Sequence, residues 1–504
     1  MQLTSLGFLL FIIIGFVLYY WLPQKYQPVI LLVMSAVFYC SYDAGLFVYI
    51  LCTMITTFTA AKKIESLEKK QDRKKVLQLT LVVNFGLLAF VKYTEFLLDN
   101  ICSIAESINW NLPIPGIKIL APIGISFYTF QATGYLLDVY WKKDKAETVF
   151  WKYALFVSFF PQIIQGPISK HKQLSEELFS IHKFDTENVE AGLLLVLWGF
   201  FKKMVIADTM AVAVSAAYDN NDTYGIAVIA GVLCYCAQLY CDFSGGIDVI
   251  RGVARLFGID MVDNFKRPFC SKSISEFWRR WHITLGIWMK DYIFYPISLS
   301  KWMTKFGSKC RKVFGNKVGR KLPVCVANII VFLLVGIWHG PNWNFIIYGL
   351  YNGLIIAISS LLTPVYDWLY QVTKMSKDSK FMHAFQIVRT FILVNIGWYF
   401  DRAVSLSHAF DLMKRTFIKA GTLMVDGAFL GLYKYQYAYV FFGIVLVIIV
   451  GIMQEKGIVI HKWMKTKPLV WQYAIWLVLI FGISLMGYYS PNSNVVGGFM
   501  YANF

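Results

Sequence analysis

The sequence predicts an all-α polytopic membrane protein, and three observations carry that prediction. Hydrophobic residues make up 57% of the 504 residues and charged residues only 15%, whereas a soluble domain has roughly 25% charged residues. Apolar stretches of roughly 20 residues recur from end to end, which is about the length that crosses the hydrocarbon core as a helix. They lack the alternation of barrel strands. This composition excludes an ordinary soluble enzyme, a disordered chain and a collagen-like fibre.

The apolar stretches predict about 11–13 transmembrane helices. In chain order they lie near 6–22, 28–42, 45–61, 76–91, 119–140, 149–165, 188–207, 224–241, 322–339, 343–362, 383–400, 437–453 and 469–487. The first follows no basic region and precedes no A-x-A-like cleavage site, so we expect a retained helix and not a signal peptide. No soluble domain, long linker or internal repeat is visible, so residues 1–504 are predicted to form a single membrane domain.

The chain is basic, with 48 Lys and Arg against 30 Asp and Glu and a net charge of +18. No recognition motif accompanies this charge, so no nucleic-acid partner is expected, whereas membrane lipids are. The most basic stretches are 62–75, 301–321 and 454–467. Because short basic loops stay in the cytoplasm, we expect a multi-pass protein of the cell membrane with both termini outside.

The region 241–321 is where a functional site is expected. It is long, rich in aromatic and charged residues, and contains no plain spanning helix. Irregular backbone at membrane depth persists only when it is packed in protein or lines a water-filled cavity.

Within that region, Ser273 or Ser275 is a predicted helix N-cap. The helix that follows is predicted to hold Trp278, Arg279 and His282 on one turn. Because like charge disfavours protonation, arginines beside His282 are expected to lower its pKa. An interfacial amphipathic helix with an aromatic belt is the alternative interpretation of the segment, although it does not account for His282.

His339 ends an apolar run that contains no other ionisable group. Ionisable groups at membrane depth are costly and are functional hypotheses by default. Gly340 and Pro341 are predicted to end the helix directly after it, which leaves backbone groups in need of partners. A neutral imidazole in such a pocket is a competent general base near neutral pH. A satisfied core histidine is the alternative.

Asp242 ends another apolar helix and precedes Gly245 and Gly246. It is predicted to orient a histidine, to pair with Arg251 or Arg255, or to cap a surface helix. The glycine spacing fits neither a Walker motif nor GxGxxG, so no phosphate loop is expected.

Two weaker segments, 121–141 and 160–174, place prolines and glycines beside apolar helices, as re-entrant turns do. His171 lies in a basic, polar stretch and is predicted to be solvated. The remaining histidines are assigned to loops or helix ends: His182, His383, His408 and His461. No GxSxG motif supports a Ser-His-Asp hydrolase. No metal site is expected, because His282 and His339 have no carboxylate or cysteine at ligand spacing.

Five segments of the chain form one recognisable set. They read PIGISFYTFQ (122–131), FPQIIQGPI (160–168), YCDFSG (240–245), FWRRWHITLG within the block 264–296, and GIWHGPNWNFIIYGLYNG (336–353). Together they resemble the membrane-bound O-acyltransferase family, in the branch of the alginate O-acetylation and teichoic-acid D-alanyl transfer proteins. The resemblance covers roughly 110–360, the predicted motif-bearing core, with extra C-terminal transmembrane helices in 401–504. It implies a ring of helices with re-entrant segments around a central funnel.

The resemblance also implies roles for single residues. The catalytic histidine of the family's WHG motif falls on His339, and a second functional position falls on His282. Asp242 matches the aspartate of a DFSG segment, although Gly246 here replaces an aromatic residue of many relatives. The other positions expected to bind or orient substrate are Trp278, Arg279, Arg280, Trp281, Trp338 and Asn344.

The implied activity is that of an O-acyltransferase (an acetyltransferase) with no bound cofactor. It would take an acetyl group from a cytoplasmic thioester, expected to be acetyl-CoA, for O-acetylation of an extracytoplasmic polysaccharide or cell-wall glycan. An extracytoplasmic, esterase-like SGNH-type partner that finishes the transfer to the glycan is implied as well, with the outward C-terminal tail as its candidate dock. The sequence does not distinguish direct transfer from transfer through an acyl-enzyme or the partner. Chain length and the extra C-terminal spans favour this activity over D-alanyl transfer to teichoic acid. A glycan exporter or secondary transporter is disfavoured, because no repeated pair of interrupted helices appears. An inactive scaffold is a third alternative.

Overall fold

The computed structural model describes residues 1–110, 119–163, 165–418 and 427–488. Within these ranges the regular structure is helical, apart from isolated β-bridges that pair Phe265 with Trp281 and Phe429 with Leu432. The α-helices are Leu6–Trp21, Gln27–Cys40, Phe47–Ser66, Lys70–Ser107, Ile125–Tyr140, Phe150–Ser158, His171–Phe179, Thr186–Phe200, Asp208–Tyr218, Ile226–Leu256, Ile274–Arg280, Ile283–Met289, Tyr295–Ser298, Lys301–Gly319, Leu322–His339, Trp343–Leu361, Thr363–Thr373, Lys380–Arg402, Leu406–Arg415, Lys434–Glu455, Ile460–Lys465 and Leu469–Met486. Two π-helical segments, Phe201–Ala207 and Lys290–Phe294, continue α-helices.

Seven helices of the described ranges are long and apolar enough to cross a membrane. They are Phe47–Ser66, Lys70–Ser107, Ile226–Leu256, Leu322–His339, Trp343–Leu361, Lys434–Glu455 and Leu469–Met486. The predicted all-α polytopic class is therefore confirmed. The last two of these helices cover the apolar stretches predicted near 437–453 and 469–487. The other predicted spans coincide with helices that are shorter or less apolar. The ring around a central funnel stays a prediction.

The described residues divide into two compact units. Among the described residues, the first comprises 1–197 and 246–262, and the second comprises 198–245 and 263–488. The helices Thr186–Phe200 and Ile226–Leu256 contribute residues to both. The single membrane domain over 1–504 stays a prediction, and the C-terminal tail that was expected to dock a partner lies outside the described residues.

In the first unit, the segments predicted as re-entrant turns pack against each other. Gly124 begins the helix Ile125–Tyr140 with a φ of +71°, in the left-handed region that favours glycine. A Cβ at this position would lie 2.0 Å from the carbonyl oxygen of Ile163. Gln162 strengthens the contact, since its Nε2 donates to Gln131 Oε1 at 2.7 Å. Glycine at 124 is therefore required by both conformation and space.

His171 is buried, so the prediction of a solvated histidine is wrong. Its Nδ1 lies 2.8 Å from Asp144 Oδ2, and its ring centroid lies 4.6 Å from that of Tyr135 and 4.9 Å from that of Phe156. Partial burial raises the pKa of Asp144, but the hydrogen bond with His171 and the charge of that ring bring it below the ordinary value. The partners of His171 are distant in sequence, so its basic neighbours along the chain do not reveal them.

In the second unit, a tight helical hairpin places His339. The helices Leu322–His339 and Trp343–Leu361 touch backbone to backbone, because glycines lie at their contact. A Cβ on Gly336 would lie 2.4 Å from the Phe345 carbonyl oxygen, and one on Gly349 would lie 2.2 Å from the Phe332 carbonyl oxygen. This close approach fixes the short turn between the two helices, where His339 stands.

Candidate active site

His339 is the last residue of its helix, as the sequence predicts. Gly340 continues in an extended conformation. The imidazole is 3% exposed and lies against the rings of Tyr348 and Phe345, at centroid distances of 5.6 and 6.0 Å. A glycine and a proline directly after an apolar helix thus place an ionisable ring inside the protein, at the point where regular backbone ends.

The Asp401 carboxylate faces this ring, and sequence reasoning missed it. Its Oδ1 lies 3.7 Å from His339 Nδ1, outside hydrogen-bond range but within reach of a charge interaction. Its Oδ2 accepts a 2.8 Å hydrogen bond from the Tyr235 hydroxyl. No donor among the described residues lies within hydrogen-bond distance of the buried Oδ1. A shift of less than 1 Å would therefore let His339 Nδ1–H satisfy it.

This arrangement indicates which nitrogen of His339 carries the proton and which would act as a base. A carboxylate favours a proton on the ring nitrogen that faces it, here Nδ1. The lone pair then lies on Nε2, the nitrogen opposite Asp401. This tautomer of His339 is inferred from the position of the Asp401 carboxylate.

His282 does not lie on a continuous helix, so that part of the prediction is wrong. The helix capped by Ser273 ends at Arg280, and a new helix begins at Ile283. Between them Trp281 is extended, and His282 adopts a left-handed conformation with φ 46° and ψ 54°. The N-cap is confirmed, because Ser273 Oγ accepts from the amide of Glu276. A non-glycine residue in this backbone region is uncommon and points to constraint by its surroundings.

Asn264 supplies that constraint. Its carbonyl oxygen accepts from the Ile283 amide at 3.0 Å, and its Oδ1 accepts from both the amide and the hydroxyl of Thr284 at 3.0 Å. The same Oδ1 lies 3.4 Å from His282 Nδ1. The strand-like pairing continues where the Lys266 amide donates to the Arg280 carbonyl. The helix therefore breaks because tertiary hydrogen bonds from another segment replace its own.

Trp338 stands between the two histidines. Its ring centroid lies 5.6 Å from that of His282 and 5.2 Å from that of His339. Phe243 packs edge-on against His282 at 4.9 Å. Burial, and secondarily the charge of His339, lower the pKa of His282 to about 3. The lowered pKa was predicted, but its cause is burial beside a second histidine and not the neighbouring arginines.

Asp242 binds a lysine, which differs from each of its predicted partners. Lys203 Nζ lies 2.7 Å from Asp242 Oδ1 and 2.7 Å from Asp208 Oδ1. Lys202 Nζ donates to Ser244 Oγ at 2.9 Å. Both lysines come from the π-helical segment and are buried. The residues before and after Phe243 therefore each bind one of two consecutive lysines, which fixes Phe243 where it contacts His282.

The other predicted positions divide into those near the histidines and those facing away. Trp281 is 1% exposed and stacks on Phe277 at 5.5 Å, and Trp278 Nε1 donates to Asn352 Oδ1 at 3.0 Å. Arg280 pairs with Glu276 at 2.7 Å. Arg279 is exposed. Trp281 is therefore buried and Trp278 half-buried, while the described residues show no hydrogen bond or ion pair between either arginine and His282 or His339.

Asn344 fixes the backbone around Asp401 through two hydrogen bonds. Its Nδ2 donates to the carbonyl oxygens of Phe400 and Ala403, at 2.9 and 2.7 Å. These two bonds fix the backbone on both sides of Asp401. Asn344 thereby positions the carboxylate that faces His339, which is an orienting role within the protein.

Two buried imidazoles with one backing carboxylate suit transfer of an acyl group. One ring can accept a proton from a hydroxyl, while the other can donate a hydrogen bond to a carbonyl oxygen that gains negative charge. The low local dielectric strengthens both interactions.

Comparison with known proteins gives consistent matches. A family model described as MBOAT, membrane-bound O-acyltransferase family, matches residues 34–308. The chain is 32% identical to a probable alginate O-acetylase AlgI of Azotobacter vinelandii, across 87% of this chain and 82% of that protein. It is 30% identical to a peptidoglycan O-acetyltransferase of Helicobacter pylori, across 82% and 78%. A teichoic acid D-alanyltransferase of Streptococcus thermophilus is 28% identical, across 52% and 61%.

Proposed function

The chain belongs to the membrane-bound O-acyltransferase family, and we propose that it transfers an acetyl group from a cytoplasmic thioester to a hydroxyl of an extracytoplasmic polysaccharide or cell-wall glycan. The observation that carries the proposal is the buried pair His282 and His339, with Asp401 Oδ1 3.7 Å from His339 Nδ1. Relatives named for acetylation of alginate and of peptidoglycan match over most of this chain. The relative named for D-alanyl transfer matches only about half of it.

In the proposed reaction, His339 Nε2 removes the proton of the acceptor hydroxyl. The oxygen attacks the carbonyl carbon of the acetyl thioester, and its electrons form the new ester bond. The carbon–sulfur bond breaks, and the thiolate leaves and takes up the proton from His339. Asp401 stabilises the imidazolium that exists between these proton transfers. General-base help of this kind contributes about 10²–10⁴ in rate.

His282 would act on the carbonyl oxygen. Its low pKa keeps the ring neutral near pH 7, so one ring nitrogen carries a proton and can donate a hydrogen bond to the developing oxyanion. One well-placed donor of this type is worth about 10²–10³ in rate. Its left-handed backbone and its contact with Phe243 fix the direction of the ring.

The donor is proposed to be acetyl-CoA, entering from the cytoplasmic side. The helix Lys301–Gly319 carries exposed lysines and arginines that suit its phosphates, although the same charges also mark a cytoplasmic end of the chain. In this topology the helix Leu322–His339 begins near the cytoplasm and ends toward the outside. Both chain termini are proposed to lie outside.

An extracytoplasmic partner of the esterase-like SGNH type is a further part of the proposal. Its test is co-purification of the full chain from membranes in mild detergent, followed by identification of bound proteins. Recovery of such a protein with wild type and with His339→Ala would support the partner. Its absence from both would oppose it.

The function is tested by measuring ester-linked acetyl groups on wall and secreted polysaccharides by mass spectrometry. Cells making wild type or the control His383→Ala are expected to acetylate a glycan, and cells making His339→Ala are expected to lose that modification at equal protein level. Ester-linked D-alanine in place of acetyl would favour the alternative acyl group. Intracellular retention of an unmodified glycan would favour an exporter.

A further inference from the structure

The basic helix Lys301–Gly319 lies beside the start of a membrane-spanning helix. Only two residues separate its last residue from Leu322, where the spanning helix begins. Its middle packs against the first turn of that spanning helix, since a Cβ on Gly307 would lie 3.0 Å from Pro323 Cγ. The first turn of a spanning helix stands near the boundary between the hydrocarbon and the lipid head groups. The basic helix is therefore held at that boundary.

One flank of the basic helix packs on the rest of the protein. Met303 and Cys310 are buried, and Gly307 lies between them in the sequence. Successive residues of an α-helix are about 100° apart around its axis, so residues three, four or seven apart share one flank. These three residues therefore define the side of the helix that faces the protein.

The next flank around the axis is apolar and turned away from the protein. It consists of Trp302, Phe306 and Val313, at steps of four and seven residues. Trp302 is 61% exposed and Val313 is 73% exposed. The rings of Trp302 and Phe306 stack at a centroid distance of 5.9 Å. At a membrane boundary, such a flank is stabilised when it enters the region of the acyl chains.

Beyond the apolar flank, on the side opposite the protein, four lysines follow one another at steps of four, four and three residues. All four are exposed, and together they form what we call the lysine stripe: Lys301, Lys305, Lys309 and Lys312. The stretch 301–321 contains eight Lys and Arg and no Asp or Glu. No acidic side chain of this stretch therefore neutralises the stripe.

The order of the flanks indicates how the basic helix lies at the boundary. With the apolar flank turned toward the hydrocarbon, the lysine stripe is a quarter-turn away, at the level of the lipid phosphates. Lysine stems pack along apolar surface while their ammonium groups reach polar groups. The fourth flank is polar, consists of Thr304, Ser308 and Arg311, and faces the aqueous side. This pattern is typical of helices that bind the surface of a membrane.

We propose that the lysine stripe binds the phosphates of anionic phospholipids and so fixes the start of the helix that carries His339 in the membrane. Each lysine near an anionic membrane surface is worth about fivefold in binding. Four lysines in one row therefore gather anionic lipid at this point. The inference goes beyond the proposed acyl transfer, and it leaves Arg311 and Lys317, which lie off the stripe, for the phosphates of the donor.

The test uses the full chain in vesicles that contain phosphatidylcholine and phosphatidylglycerol in equal amounts. The photo-crosslinking residue p-benzoylphenylalanine replaces one residue at a time, and mass spectrometry identifies the lipids that become attached. In place of Val313, it should attach phosphatidylglycerol at least about fivefold more often than phosphatidylcholine. In place of Thr304, on the polar flank, it should attach little lipid. In place of Val478, an exposed residue of the spanning helix Leu469–Met486, it should attach both lipids equally.

Variants of the lysine stripe test the role of its charge. With all four lysines replaced, as Lys301→Gln, Lys305→Gln, Lys309→Gln and Lys312→Gln, the preference for phosphatidylglycerol at position 313 should fall to that at position 478. Arginine at the same four positions keeps the charge and should keep the preference. Salt of about 1 M, where the Debye length is about 3 Å, should weaken the preference in the wild type. Thermal denaturation establishes that each variant is folded.

Four results would overturn the lipid site. The first is equal attachment of the two lipids at position 313 of the wild type, and the second is as much lipid at position 304 as at position 313. The third is loss of phosphatidylglycerol attachment when acetyl-CoA is added at a few millimolar and constant ionic strength, above the usual KM range of about 1 µM–1 mM, because the stripe would then bind the donor. The fourth is attachment in cells chiefly to a protein, which would assign the surface to a protein partner.

Discussion

Replacing Asp401 with asparagine tests the arrangement around His339 with little change of shape. In the wild type, the Tyr235 hydroxyl donates a 2.8 Å hydrogen bond to Asp401 Oδ2, and the variant keeps an oxygen that can accept this bond. It removes the negative charge 3.7 Å from His339 Nδ1. Hydrogen bonds to charged groups are worth about 1.5–3 kcal/mol, and we expect His339 and Asp401 to form one when the ring becomes protonated during the reaction. Since about 1.4 kcal/mol is tenfold in rate, kcat should fall about 10–150-fold.

The measurement is steady-state acetyl transfer from labelled acetyl-CoA by purified protein, with kcat and KM determined separately. We expect KM for both substrates to change little, because Asp401 is buried and acts through His339. Tyr235→Phe keeps the charge and loses one hydrogen bond, so a smaller fall of about 2–12-fold is expected. Asp367→Asn, which alters an exposed ion pair, serves as the matched control. Wild-type kcat in folded Asp401→Asn would refute the reasoning.

The remaining predictions concern His282 and the lysine that holds the segment beside it. His282→Ala should lose about 10²–10³ in kcat, and His282→Asn should retain more, because an amide can still donate a hydrogen bond; equal losses would contradict an oxyanion role. Burial lowers the pKa of His282 to about 3, so the ring stays neutral as pH falls, and its protonation should cause no loss of kcat between pH 8 and 5. A fall in kcat with a pKa near 6.5 that is present in wild type and absent in His282→Asn would oppose this. Lys203→Met removes the cation that faces the buried Asp242 carboxylate and should lower the free energy of unfolding by about 3–5 kcal/mol. Adding Asp242→Asn should recover part of that loss in thermal denaturation, and no recovery would argue against the ion pair.

Much of the site could be predicted, because its strongest signals are local. An ionisable residue at the end of an apolar run, followed by glycine and proline, makes His339 a candidate site residue without any structure. Ser273 is readable as an N-cap in the same way. In both cases the deciding interactions lie within a few residues of each other, where patterns in the sequence are informative.

The errors arose where distant residues decide the local structure. The pattern around His282 favours one continuous helix, and only the hydrogen bonds from Asn264 break it. Asp242 was expected to orient a histidine, to pair with Arg251 or Arg255, or to cap a surface helix, but a π-helical segment brings Lys203 to it. Periodicity describes a helix in isolation and carries no information about such partners.

Asp401 shows what sequence reasoning could have used but did not. It stands at the end of an apolar stretch, as His339 does, and an ionisable group in that position is a functional hypothesis by the same argument. Its partner is 62 residues away in the sequence. The relation between the two becomes visible only when the helix Lys380–Arg402 packs beside the hairpin.

The central claim, that His339 is the base, is tested most directly by one comparison. Purified wild type and His339→Ala, matched for folding by thermal denaturation, are given labelled acetyl-CoA and a glycan acceptor in a single-turnover experiment. The account predicts that transfer by His339→Ala falls at least about 10²-fold, the lower end of general-base catalysis. Transfer at the wild-type rate by the folded variant would contradict it.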